Sequence, residues 1–120
     1  MATPNIVDVA TITPFTINGD ITTSNVDIID VPAEYIYKIN TIIIANIDGT
    51  NAATVTVTYS PDNGSNYYRI GSTINVPAGT TLILLNKESS IYLDETDLLR
   101  VVGSANSDLT YTVSGEKITD

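Results

Sequence analysis

The sequence predicts an all-β protein, a single antiparallel β-sandwich of jelly-roll or immunoglobulin-like type with an extended N-terminal arm. Three observations predict it. Residues 53–59 alternate strictly, with Ala53, Val55, Val57 and Tyr59 on one face and Thr54, Thr56 and Thr58 on the other, which is the period of a half-buried strand. Short runs rich in Thr, Val, Ile and Tyr are separated by Gly, Pro, Asn and Asp along the whole chain. No segment sustains helical spacing. At 120 residues the chain is read as one domain with one core.

Residues 1–20 are the least regular. Ile6, Val7, Val9, Ile12, Phe15 and Ile17 are apolar, but Pro4, Pro14 and Gly19 interrupt them. This stretch reads as an N-terminal arm or an edge strand, and residues 21–120 as the sandwich domain. Strands are then expected over Thr22–Ile29 (weak), Glu34–Ile47 (long), Ala52–Tyr59, Asn66–Ile70, Thr73–Val76, Thr80–Leu85, Ser90–Leu93, Leu98–Val102 and Leu109–Val113. Asp48-Gly49 is expected to supply the positive φ angles of a tight hairpin between the second and third of these. Pro61-Asp62-Asn63-Gly64 reads as another turn. Val31-Pro32-Ala33 and Val76-Pro77-Ala78 each precede an apolar strand, an echo that two corners of a sandwich or an internal duplication would produce.

Composition excludes several chemistries. With no Cys and no His there are no disulfides, no Cys/His zinc site and no Ser-His or Cys-His nucleophilic pair. A formal charge of −9, from 14 acidic and 5 basic residues, disfavours nucleic acid and anionic membranes as partners. The N-terminus shows neither the basic region nor the apolar core of a secretory signal, and no apolar run approaches the roughly 20 residues of a membrane span. Asp94, Glu95 and Asp97 form the densest acidic cluster. Carboxylates so placed can serve glycoside hydrolysis or Ca²⁺ binding, but between Leu93 and Leu98 they read first as a solvated turn. Asp62-Asn63-Gly64-Ser65-Asn66 likewise reads as a turn before a cation site, and Asn63-Gly64-Ser65 fits a glycosylation sequon. No catalytic residue, metal or cofactor is therefore expected, and the chain is read as non-enzymatic.

The candidate functional residues are those of an interface. The strand Glu34–Ile47 is apolar on both sides: Tyr35, Tyr37, Ile39, Ile43 and Ile47 on one, Ile36, Ile42 and Ile44 on the other. Burying each such side chain is worth roughly 1.5–3 kcal/mol, so the second face calls for cover by the arm, a loop or another subunit, unless a β-bulge swaps faces. Ile12, Phe15 and Ile17 of the arm, with Tyr35, Ile36, Tyr37, Ile42 and Ile44, form the expected self-association surface. Tyr67 and Tyr68 are consecutive and point to opposite faces; with Arg69 they offer an aromatic surface for a sugar ring or a protein.

The blocks Tyr37-Lys38-Ile39-Asn40, Ala45-Asn46-Ile47-Asp48-Gly49-Thr50-Asn51-Ala52-Ala53-Thr54-Val55-Thr56-Val57, Val76-Pro77-Ala78-Gly79-Thr80-Thr81-Leu82, Ile91-Tyr92-Leu93-Asp94-Glu95-Thr96-Asp97-Leu98-Leu99-Arg100 and Ala105-Asn106-Ser107-Asp108-Leu109-Thr110-Tyr111-Thr112-Val113-Ser114-Gly115-Glu116 share a pattern. It resembles small virion structural proteins of tailed bacteriophages, of the marine and cyanophage type, over roughly residues 35–116. Glu95-Thr96-Asp97 departs from the acidic-Gly-Asp turn of that pattern. The resemblance implies a virion structural protein with no catalytic residues. The expectation is a capsid decoration or cement protein on the surface of a phage head, a homo-oligomer (a trimer where the lattice has three-fold sites) with the major capsid protein as partner. A tail or fibre component and a carbohydrate-binding module are the alternatives.

Overall fold

In the computed structural model, which describes residues 11–119, the chain forms nine strands and one 3₁₀ turn, Lys87–Ser89. The strands are β1 (Thr11–Ile21), β2 (Val26–Asp30), β3 (Tyr35–Asn46), β4 (Ala53–Ser60), β5 (Tyr68–Val76), β6 (Thr81–Leu85), β7 (Ile91–Leu93), β8 (Leu98–Gly103) and β9 (Leu109–Thr119). All pairings are antiparallel. Sheet A runs β1-β9-β3-β6, with β7 beside β6 on the same edge of β3; sheet B runs β2-β8-β4-β5. If β6 and β7 are taken as one interrupted strand, the orders become 1-8-3-6 and 2-7-4-5. This is the double Greek key of a jelly roll rather than the immunoglobulin arrangement.

Alternation along each strand lines up rows of side chains across the sheets. Between the sheets, sheet A contributes Ile17–Val113–Ile42–Leu85 and Phe15–Gly115–Ile39–Ile91. Sheet B contributes Ile29–Leu99–Tyr59 and Val101–Val57–Gly71, rows that end at the sheet edges in the exposed Tyr68 and Val26. Ile39, Ile42, Ile44, Val57, Leu93, Leu99 and Leu109 are fully buried and form the centre of one core.

The strand that is apolar on both sides has a local explanation. The register of β3 against β9 shifts between Ile39 and Thr41, so one extra residue, Asn40, bulges. Before it the odd residues Tyr37 and Ile39 face the core; after it the even residues Ile42, Ile44 and Asn46 do. The bulge depends on Gly115, because a Cβ there would lie 1.9 Å from the Lys38 carbonyl oxygen. Ile42 and Ile44 are thus core residues and offer no outward surface, and Tyr37 faces inward.

A further expectation is corrected. β3 and β4 do not form a hairpin around Asp48-Gly49: they belong to different sheets, and Gly49 is not among the glycines with positive φ. The loop between them is an arch. Asp48 Oδ1 accepts the N–H groups of Thr50 and Asn51, and the buried Asn46 side chain ties the arch down, donating from Nδ2 to the carbonyls of Asn51 and Val76 (both 2.9 Å) while Oδ1 accepts the Asp48 N–H. Inward faces that already oppose each other across the core favour such a crossing over pairing. Thr11–Asp20, read as arm or edge strand, belongs to β1, paired along its whole length with β9; the 20/21 boundary falls within that strand. Residues 1–10 lie outside the described residues.

The two Val-Pro-Ala segments are corners. Each carries the chain from sheet B to sheet A, each buries its valine, and in each the proline carbonyl accepts the N–H three residues on, from Tyr35 (3.3 Å) and Thr80 (3.1 Å). The residue before that N–H has φ near +68° in both, Glu34 in one and Gly79 in the other. The Asp62-Asn63-Gly64 turn joins paired strands β4 and β5, with positive φ at Asn63 and Gly64.

Candidate assembly interface

Among the described residues the sandwich is open along one flank. β1 is the outer strand of sheet A and β2 the outer strand of sheet B, and between them lies a cavity of about 210 Å³. Its lining is Phe15, Ile17, Ile28, Ile29, Asp30, Tyr37 and Lys117. Phe15, Ile17 and Tyr37 were legible as candidates; Ile28, Ile29, Asp30 and Lys117 were not. β2 carries a register shift between Asp27 and Ile29 that turns Ile28 toward the cavity side. Lys117 lies beyond Val113, where the alternation of Leu109, Tyr111 and Val113 runs on through Gly115 to a cation. That continued parity was the available signal.

Lys117 occupies an inward-facing row, Thr13–Lys117–Tyr37–Leu93. Its ammonium lies 5.6 Å from the Phe15 ring centroid and 5.5 Å from that of Tyr37, within cation–π range. The rings themselves are in contact, with centroids 5.3 Å apart. Tyr35 meets Tyr37 edge-on at 6.1 Å. Aromatic and aliphatic carbon thus forms the walls, and one cation and one carboxylate stand at the rim.

The outward face of sheet A is the second surface. One row, Asn18–Thr112–Ile43–Ile83, crosses four strands without a charge, and Ile83 is 62% exposed. The rows beside it are Thr16–Ser114–Thr41 and Asp20–Thr110–Ala45–Thr81, which adds one carboxylate at the edge. Toward the far end come Pro14–Glu116–Lys38–Tyr92 and Ile12–Ile118–Ile36. Ile12 is exposed, whereas Ile36 and Ile118 are buried. The candidates therefore divide into three: Ile12 and the buried Ile36 on this face, Phe15, Ile17 and Tyr37 at the cavity with Tyr35 against Tyr37, and Ile42 and Ile44 inside.

Tyr67, Tyr68 and Arg69 are not brought together. Tyr67 lies under Arg100, whose guanidinium carbon is 3.8 Å from the ring centroid. The Tyr67 hydroxyl accepts from Arg100 Nη2 (2.8 Å) and donates to Asp27 Oδ1 (3.2 Å), while Arg100 Nε also donates to Asp27 (3.0 Å). Desolvation and the Asp27 charge raise the phenol's pKa, and the bond to Asp27 raises that of the guanidinium. This ring face is already stacked, which argues against Tyr67 as a platform for a sugar. Tyr68 is exposed beside Tyr59, and Arg69 donates to Ser72 Oγ.

The acidic turn is a clasp. Asp97 Oδ2 accepts the Asp94 N–H, Glu95 Oε2 accepts the Glu34 N–H, and Thr96 donates to the Val31 carbonyl, so the β7–β8 loop closes over the β2–β3 corner. Asp97 is buried; desolvation first, with the charges of Asp94 and Asp62, raises its pKa above the usual carboxylate range, against the hydrogen bond from Asp94. Among the described residues no group of three His, Cys, Asp or Glu side chains is placed to hold a metal ion. No helix among them is long and apolar enough to cross a membrane.

Comparison with solved structures finds the same fold in a protein of Bacillus endospore appendages, described as a novel family of disulfide-linked pili. It aligns with a TM-score of 0.56 and 16% identity over 91% of this chain and 87% of that one. Two structures of a pentameric capsid protein isolated from metagenomic phage sequences align with a TM-score of 0.41 and 14% identity over 87% of this chain. This chain spans 60% and 62% of their length. No protein-family model and no curated protein matches the sequence.

Proposed function

We propose that this chain is a non-enzymatic structural protein of a virus particle, a jelly-roll subunit that decorates or cements the head of a tailed bacteriophage. The observation that carries the reading is the pair of surfaces above: an open flank with an apolar cavity, and an outward sheet face crossed by rows of Thr, Ser, Ala and Ile. An acidic protein of charge −9 that keeps most of one sheet face free of charge has a face suited to contact with protein. The sequence resemblance over residues 35–116 supplies the particle, and the jelly roll is a fold that capsid proteins use. The appendage protein of like fold belongs to disulfide-linked pili; these 120 residues contain no cysteine, so assembly here rests on non-covalent contacts.

Repetition gives such contacts their strength. A subunit that binds an assembled lattice but not free coat protein stabilises the lattice by mass action, and many weak contacts on a symmetric surface add up. The major capsid protein is the partner in this reading, and the virion surface the location.

Quantitative mass spectrometry of purified particles tests it. Hundreds of copies per particle are expected. A handful of copies, with label confined to the tail, would replace the head role with a tail or fibre role; absence from particles would remove the reading.

A further inference from the structure

We infer that the outer edge of β1 pairs with the same edge of a second copy of this chain, antiparallel about a two-fold axis at Asn18, so that sheet A runs through from one copy into the other. This rests on the assembly role proposed above and names the contact between copies that would carry it.

Among the described residues the other edge strands are all blunted. β2 has five residues and a register shift between Asp27 and Ile29. β5 shifts register twice against β4 and holds Thr73 at φ 50°, a left-handed conformation that a β-branched residue rarely takes. β6 has five residues and its own register shift against β3, and β7 has three residues. Short length and bulges are devices that keep sheet edges from pairing. β1 instead runs 11 residues along β9 with no shift, and its one charge is Asp20.

Hydrogen-bond parity shows which backbone groups this edge offers. The Ile47 N–H donates to the Asp108 carbonyl (2.8 Å), so the even residues of β9 bond to β3 and the odd ones to β1. Odd residues of β1 stand opposite odd residues of β9. The N–H and C=O groups of Ile12, Thr16, Asn18 and Asp20, with the Pro14 carbonyl, therefore point to the free edge.

These groups select a register. Pro14 has no N–H to give, and the Thr22 carbonyl already accepts the Gly103 N–H (2.8 Å). Between them Thr16, Asn18 and Asp20 each offer a donor and an acceptor. An axis at Asn18 sets Thr16 opposite Asp20 and Asn18 opposite itself, and all of these groups find partners. Moving the axis toward Thr16 brings Pro14 opposite Asp20 or Asn18 and leaves a carbonyl there unbonded. Moving it toward Asp20 brings Thr22 opposite Thr16, or opposite Asn18 with two Asp20 carboxylates side by side.

The side chains fit the same register. Directly opposed residues share a face, so the uncharged row Asn18–Thr112–Ile43–Ile83 continues into the second copy. On the inward face, Ile17 of the second copy comes opposite Gly19. The Tyr111 ring leans over Gly19, its hydroxyl 2.9 Å from where a Cβ would stand, and presents aromatic carbon to that isoleucine. The two-fold axis keeps both copies of sheet B on one side, so the open flanks, each with an exposed Val26, face each other.

Single cysteines in the full chain read the register, since the sequence has no cysteine of its own. At the axis, Asn18→Cys stands opposite itself with Cα atoms about 5.5 Å apart, within disulfide range. Mild oxidation should give a disulfide-linked dimer. Thr16→Cys and Asp20→Cys each lie about 13 Å along the strand from their own counterpart. Alone, each should give at least about tenfold less dimer, whereas a mixture of the two should cross-link. Adding Thr16→Pro to the Asn18→Cys chain removes a donor between copies and none toward β9. The cross-link should then fall at least about tenfold. Melting curves confirm that each variant folds. No dimer from Asn18→Cys, the result expected if the chain's own N-terminal segment takes this edge, would overturn the inference. So would equal yields at Thr16, Asn18 and Asp20, as parallel pairing or random collision gives, or a Thr16→Pro chain that cross-links as well as its parent. Particle copy number is a separate measurement, so the structural role can stand if this contact fails.

Discussion

Along one flank of the sandwich, β5 and β6 meet so closely that a Cβ on Gly71 would lie 2.6 Å from Ile74 Cδ1 and 2.8 Å from Leu84 Cδ1. Along the other, β1 and β2 leave a cavity lined by Phe15, Ile17 and Ile28 and rimmed by Asp30 and Lys117. Among the described residues, side chains close one seam and leave the opposite seam unfilled. The closed flank is reached by corners at which Pro77 and Gly79 turn the chain between sheets and Asn46 secures the arch nearby. No corner joins β1 to β2 in this way: residues 22–25 link the two strands at one end only. Stability is therefore concentrated at the closed flank, and capacity for a partner at the open one.

The largest expected effect lies on the closed side. Asn46→Ala removes two donors and an acceptor from the arch and leaves the Val76 carbonyl without its side-chain partner. A loss of about 3 kcal/mol is expected, a fall in melting temperature of roughly 10 °C, with oligomeric state unchanged once folded. Thermal denaturation checks it; a change under 2 °C would show that the arch is held by other means.

Gly71→Ala should cost less, about 1 kcal/mol, because the atoms in the way are the far ends of two aliphatic side chains that can rotate. A stabilised variant would mean that the closed flank has slack, and would erase the contrast between the seams.

The clasp at Asp97 gives a smaller, pH-dependent effect. Its folded pKa is raised, so between pH 3.8 and that folded value the native state holds more protons than the unfolded chain. Its contribution to stability therefore falls as pH rises through the folded pKa and is unfavourable at neutral pH. Asp97→Asn keeps an acceptor for the Asp94 N–H and removes the charge, so at pH 7 its melting temperature should equal or exceed that of the parent, and the gap should close on acidification. Asp48 and Asp62 run the other way: hydrogen bonds from Thr50 and Asn66 lower their pKa values, and their favourable contributions are present above pH 3.8 and lost below it. An Asp97→Asn variant less stable at pH 7 than at pH 4, relative to the parent, would refute the assignment.

The layers and most strands were legible because alternation is a local signal. The Val-Pro-Ala corners were legible for the same reason, since proline fixes φ wherever it stands. Three features were legible only in part. The two-sided apolar pattern of β3 left a face-swapping bulge open as one explanation, but the choice among explanations depends on Gly115, 75 residues from Asn40. Asp48-Gly49 signals a turn but not whether the flanking strands pair or cross. Pro14 and Gly19 left β1 open between an arm and an edge strand; an edge strand tolerates both, since proline costs nothing on an unpaired side and Gly19 makes room for the Tyr111 ring. Of the site, Phe15, Ile17 and Tyr37 were legible as apolar candidates. Lys117 was not, because a lone charge at the end of a strand looks like a boundary rather than a lining residue.

The contrast between the flanks is tested most directly by filling the open one. Ile28→Phe extends an aromatic ring into the cavity, which should leave the melting temperature unchanged or raise it by the few degrees typical of cavity filling. Sedimentation equilibrium of parent and variant at tens of micromolar is the measurement. An open flank that receives a second copy predicts an associating parent and a monomeric Ile28→Phe chain of equal or greater stability. A parent that stays monomeric, or a variant that associates as the parent does, would contradict it.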